Sequence, residues 1–78
     1  MSDITTFGQF IKQKRQQSKF SQQRLADACG FAHRSAILRL EQDRLEWKLK
    51  EVVSIAELFG LSASQLLAEF ENFKVHTS

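Results

Sequence analysis

Proline is absent from the 78-residue sequence, glycine occurs three times and cysteine once. So few chain breakers exclude β-hairpins at turn-rich spacing and leave room for helices. The single cysteine, Cys29, excludes an internal disulfide and any multi-cysteine zinc cluster. No apolar run approaches the ~18 residues of a membrane span, and the first residues lack the basic-then-apolar order of a secretion signal. A cytoplasmic protein with no membrane attachment is expected.

What is present suits a folded domain: 42% apolar and 26% charged residues, both signs mixed, which excludes a disordered tail. A chain this short holds one domain and hides only about 60–65% of the surface its unfolded form exposes, so self-association would add burial. A single domain over residues 1–78 is expected, with its core at about 6–68 and residues 69–78 extending the last helix into a tail. The net charge of +2 conceals a polarity. Through Lys50, ten Lys and Arg face five acids (+5); from Glu51 onward, one Lys faces four Glu (−3). A basic front half suggests an anion-facing surface, and an acidic back half a separate face.

Apolar spacing predicts five helices. After a frayed Met1–Ile4, Thr5 or Thr6 caps a helix carrying Phe7, Phe10 and Ile11, ending near Ser18. Lys19-Phe20 connects to a second helix, capped by Ser21 and ended by Gly30 as a left-handed residue. The third runs from roughly Arg34 to Gln42 with Ile37 and Leu40 inward, and residues 43–48 form a loop. A fourth carries Leu49, Val52, Val53, Ile55, Ala56 and Phe59 on one side and stops at Gly60. Ser62 or Ser64 caps a fifth with Leu66, Leu67, Phe70 and Phe73, followed by a polar end from Lys74.

The stretch from Phe20 to Glu41 holds two short helices joined by a glycine turn, with small Ala26 where helices must approach closely. That is the geometry of a helix-turn-helix. Ser21, Gln22, Leu25, Ala26, Gly30, Ile37 and Glu41 resemble the pattern of the Cro/cI-type (XRE) repressor family, and Ile55-Ala56 with Phe59-Gly60-Leu61-Ser62 is similar to the family's fourth-helix ending. The resemblance covers about Phe7 to Leu67 and implies an all-α, five-helix, lambda-repressor-like domain with the motif at helices two and three. Three departures stand out: a turn one residue longer before Ile37, Asp43 where a glycine is usual, and Trp47 where a proline is often found.

Duplex DNA offers phosphates to cations and base edges to side chains in the major groove. Arg34, Ser35 and Arg39 fall on the side of the third helix opposite Ile37 and Leu40, where arginine can bond two acceptors of guanine; His33 joins them, or caps the helix. The resemblance implies phosphate contacts at Gln22 and Gln23 on the second helix and at Gln42, Arg44 and Lys48 around the end of the third. The run Lys12-Lys14-Arg15-Lys19 reads as a solvated helix face, except that for Arg15 the resemblance implies pairing with Glu41, bracing the first helix against the third, in preference to DNA contact. Cys29 reads as packed core, and a Cys29–His33 metal pair lacks further ligands, so no cofactor or metal is expected. Trp47 has three readings: a lid on the core, a stack on sugar-phosphate, or a partner contact. Phe70 and Phe73 either seal the domain's underside or, with Phe59, Leu61 and Leu66, form a homodimer face that would set two reading helices one DNA turn apart.

The resemblance thus implies a dimeric regulator of bacterial, phage or plasmid origin that represses by occupying a palindromic operator, its own promoter being one candidate site. The competing class is an antitoxin or other interaction module that uses the same fold to hold a partner protein such as a toxin. The arginines on the third helix separate the two, since an acidic or apolar face would favour the partner. An enzyme is not expected, because the layout assembles no Ser/His/acid or Cys/His group and no phosphate-cradling glycine loop.

Overall fold

In the computed structural model, which describes residues 6–77 and side chains as far as residue 73, Thr6 opens the first helix with a reciprocal cap. The Gln9 N–H donates to Thr6 Oγ1 and the Thr6 N–H to Gln9 Oε1, both at 3.2 Å. The helix, α1, spans Phe7–Gln17; α2 spans Gln22–Cys29, α3 Ser35–Glu41, α4 Leu49–Leu58 and α5 Ala63–Thr77. There is no strand among the described residues, and the architecture is the all-α, five-helix one expected. Ser21 caps α2 by accepting the Arg24 N–H at 3.0 Å, and Ser62 caps α5 by accepting the Gln65 N–H at 3.1 Å. Gly30 (φ 79°) ends α2 and Gly60 (φ 77°) follows α4, each in the left-handed region that glycine enters without a Cβ penalty. α5 continues to Thr77 through residues expected as a polar end. The expected fraying of residues 1–4 lies outside the described residues.

Helix α2 packs on α3 and α4, α1 on α3 and α5, and α4 on α5. The centre is built from Ile11, Leu25, Ile37, Leu40, Ile55 and Leu66, all fully buried, together with the small Ala26 and Ala56. Each large aliphatic side chain so buried contributes about 1.5–3 kcal/mol of gross transfer free energy. Aromatic rings close one end: Phe7 meets Trp47 edge-on at 4.9 Å and Phe70 at 5.2 Å, while Phe10 packs on Phe70 and Phe73 at 5.4 and 5.3 Å. Trp47 therefore lies over the core, half-buried, with its Nε1 lacking a hydrogen-bond partner.

Two expectations for α4 need correcting. Leu49 is 74% exposed and Val53 is also exposed. The inward stripe is Val52, Ile55 and Ala56, and Leu49 and Val53, one turn apart, occupy the neighbouring stripe that faces away from it. Asp43, at the usual glycine position, does take the left-handed conformation (φ 61°), and Thr6 Oγ1 donates to its carboxylate across the start of α1. Gly8 lies directly beneath that turn: a Cβ there would overlap the Leu40 carbonyl and come within 2.9 Å of the Glu41 carbonyl.

Candidate nucleic-acid interface

The glycine turn sets the direction of α3. After Gly30 the Phe31 N–H returns to the Ala26 carbonyl at 2.9 Å, closing α2, and residues 31–34 carry the chain across to α3. Ile37 and Leu40 then anchor α3 in the core, and Glu41 turns inward with them. The opposite side carries Arg34, Ser35, Leu38, Arg39 and Gln42, all exposed, with His33 exposed on the turn before them. A short helix is thus fixed along one side and presented along the other.

Glu41 is the fixing point. Arg15 Nε donates to Glu41 Oε2 at 2.6 Å and Arg15 Nη2 to Oε1 at 3.2 Å, while Arg15 Nη1 reaches the Phe20 carbonyl at 3.1 Å. The Gln22 amide adds a third bond, Nε2 to Glu41 Oε1 at 3.2 Å. The Glu41 side chain is 1% exposed. This network joins α1, the α1–α2 connection, the first turn of α2 and the end of α3, so the orientation of the outward face is held from three directions.

Among the described residues the ion pairs are Arg15–Glu41 and Lys14–Glu69. Arg34, Arg39, Arg44 and Lys48 therefore stand exposed with no carboxylate partner, and their cations are available to an external anion. Gln42, Arg44 and Lys48 lie at and after the end of α3, where the Lys48 N–H donates to Glu51 Oε1 at 2.9 Å and starts α4. Gln23 is exposed and donates to Asp27 on its own helix at 2.9 Å. Gln22, expected at a phosphate, is half-buried with its amide nitrogen engaged by Glu41, a contact the sequence pattern did not signal.

Cys29 is buried, and that burial together with the nearby Glu51 carboxylate pushes its thiol up to about 11 from 9.0. His33 is exposed, and among the described residues no three His, Cys, Asp or Glu side chains come together to hold a metal ion. No single described helix is long and apolar enough to cross a membrane.

The residues expected at a dimer face divide. Leu66, expected at that face, is instead fully buried in the chain's own core and presents no surface to a partner. Phe70 and Phe73 are half-buried against α1, and Phe59 stacks on Phe20 at 5.7 Å with Lys14 Nζ 5.2 Å from its ring centre. Leu61 is half-buried at the α4–α5 corner. Leu67, expected among the apolar residues of the fifth helix but not at the dimer face, is 43% exposed on α5. Leu38 was not singled out, although one turn separates it from both Arg34 and Gln42 on the outward face of α3.

Comparison with known proteins bears on the same segment. A family model described as Helix-turn-helix matches residues 11–66, from the core of α1 to the first turns of α5. The HTH-type transcriptional regulator PuuR of Escherichia coli (strain K12) is 34% identical over 64 residues, which cover 82% of this chain and 34% of that protein. PuuR of Shigella flexneri matches with the same identity and coverage. The chain spans about a third of the length of these curated relatives. No solved structure matches it.

Proposed function

Since the chain belongs to the helix-turn-helix family of transcriptional regulators, of the XRE type, we propose that it binds a palindromic operator in duplex DNA as a two-fold dimer and represses transcription by occupying it. The observation that carries this reading is the split character of α3: Ile37, Leu40 and the Arg15–Glu41 pair hold one side, while Arg34, Ser35 and Arg39 stand exposed and unpaired on the other. An α-helix fits the major groove, and arginine can bond guanine O6 and N7 together. Arg44, Lys48, Gln42 and Gln23 flank that helix and supply backbone contacts that set its register. The half-buried Gln22 contributes mainly through Glu41.

Two copies are joined in this reading through the α5 side, by the exposed Leu67 and the half-buried Phe70 and Phe73, together with the half-buried Leu61 and Phe59. A two-fold axis there places the two α3 helices one DNA turn, ~34 Å, apart. Occupancy of its own promoter is the simplest regulatory use. Selection of bound fragments from random duplex DNA tests the proposal. Enrichment of an inverted repeat with half-sites one turn apart is expected; failure to enrich any motif would overturn it.

A further inference from the structure

The exposed face of α3 is polar at every position except one. Leu38 keeps 41% of its surface in solvent, although Ile37 and Leu40 beside it are fully buried. It lies on the flank of that face, next to the side on which Glu41 turns inward. Arg34 lies one turn before it, Gln42 one turn after and Ser35 three residues back, so exposed polar side chains border it on the outward side. The part of Leu38 left in solvent gains nothing from the domain's own core.

We propose that Leu38 reads a thymine, packing against its 5-methyl group in the major groove while the flanking polar residues bond neighbouring base edges and phosphates. The inference rests on the reading of α3 as the groove-entering helix. Among the four bases only thymine displays a methyl group in that groove; guanine, adenine and cytosine display donors or acceptors. Leu38 can satisfy none of those, so at any other base it would strip water from a polar edge and leave it unbonded. At thymine it covers a methyl already poorly hydrated. The residue thus acts by both means: it favours one base through burial and disfavours the rest through desolvation. It also explains how so short a helix discriminates, since an apolar contact needs no directional partner.

Deoxyuridine differs from thymidine only by the methyl, which makes the test direct. Each thymine of the selected operator is replaced singly by deoxyuridine, and binding is measured for the wild type and for Leu38→Ala; the thermal melt of Leu38→Ala serves as the folding control. At one thymine per half-site the wild type should lose about fourfold in affinity, the worth of one buried methyl. At that same site Leu38→Ala should bind thymine and uracil operators equally. Operator binding in which no thymine-to-uracil change affects the wild type, or in which Leu38→Ala keeps the same sensitivity, would overturn the role of Leu38 and leave the regulator reading standing. A chain that binds no operator at all would overturn both.

Discussion

Arg15 on α1 and Glu41 at the end of α3 meet through two hydrogen bonds, at 2.6 and 3.2 Å, with the Glu41 side chain 1% exposed. The pair sits behind the outward face of α3 and ties it to α1. Glu41→Ala would leave a guanidinium without its partner in a site with little access to water, and breaking such a pair costs about 3–5 kcal/mol. Domains of this length have roughly 4–12 kcal/mol of total stability, so that variant should be largely unfolded or unfold at low urea. Urea denaturation checks it. A loss below 1 kcal/mol would place the pair with exposed surface bridges. Arg15→Lys should recover only part of the stability, because an ammonium cannot serve both carboxylate oxygens and the Phe20 carbonyl in the same planar geometry.

Gly8 offers a second test of how α1 seats on α3. A methyl there would overlap the Leu40 carbonyl and lie 2.7 Å from Asp43 Oδ1. Backbone cannot yield as a flexible side chain does, so Gly8→Ala should cost about 1–3 kcal/mol despite alanine's better helix propensity. At Gly30 a methyl would meet nothing within 4 Å, and the penalty of Gly30→Ala comes only from φ 79°, about 1 kcal/mol. Thermal melts of the two variants should rank them in that order; the reverse ranking would mean that α1 shifts freely against α3.

Cys29 links its burial to pH. Its thiol is held at about 11, above the ordinary 9.0, first by burial and then by Glu51. The folded state therefore keeps its proton where the unfolded state has lost it. The contribution is fully present below pH 9 and falls away as pH rises through 9 toward 11, on the order of 2 kcal/mol in all. Urea titrations from pH 8 to 11 should show that decline in the wild type and a shallower one in Cys29→Ala. The native thiol should also resist alkylation at pH 8 until the protein unfolds.

The caps and the core of the motif were legible in the sequence. Ser21 and Gly30 bracket α2 because their chemistry is local, and Ile37 and Leu40 point inward because helical spacing fixes them once the helix is placed. Contacts between distant segments were another matter. The Gln22–Glu41 bond and the Thr6–Asp43 bond join residues 19 and 37 apart, and no periodicity announces them. Leu66 and Leu67 show the limit of apolar pattern: they are neighbours of one residue type, and only the packing of α5 on α1 and α4 buries the first and leaves the second exposed. Leu49 and Val53 misled for the same reason, since a nearly all-apolar helix does not declare which stripe its partners cover.

That difference changes the choice of variant for the dimer. Phe70 packs on Phe7 and Phe10, so a charge at position 70 would damage the monomer as well as any interface. Leu67 is exposed, and Leu67→Asp should leave the melt within about 0.5 kcal/mol of wild type. Sedimentation should show Leu67→Asp as a monomer at concentrations where the wild type is a dimer. A Leu67→Asp protein that remains dimeric would remove the α5 side as the joining surface.

Arg39 and Arg44 should separate base reading from phosphate binding. Arg39 lies on the outward face of α3, while Arg44 lies beyond its C-terminal end, and both are exposed without an ion-pair partner. Arg39→Ala is expected to cost about 1–3 kcal/mol on the operator and to relax selection at one base position. Arg44→Ala should weaken operator and random DNA alike and lower the slope of log affinity against log salt by about one. Titrating both variants on the two DNAs at several salt concentrations distinguishes the roles. Equal losses for Arg39→Ala on both DNAs would make it a backbone contact, and discrimination would then fall to Arg34, Ser35 and Leu38.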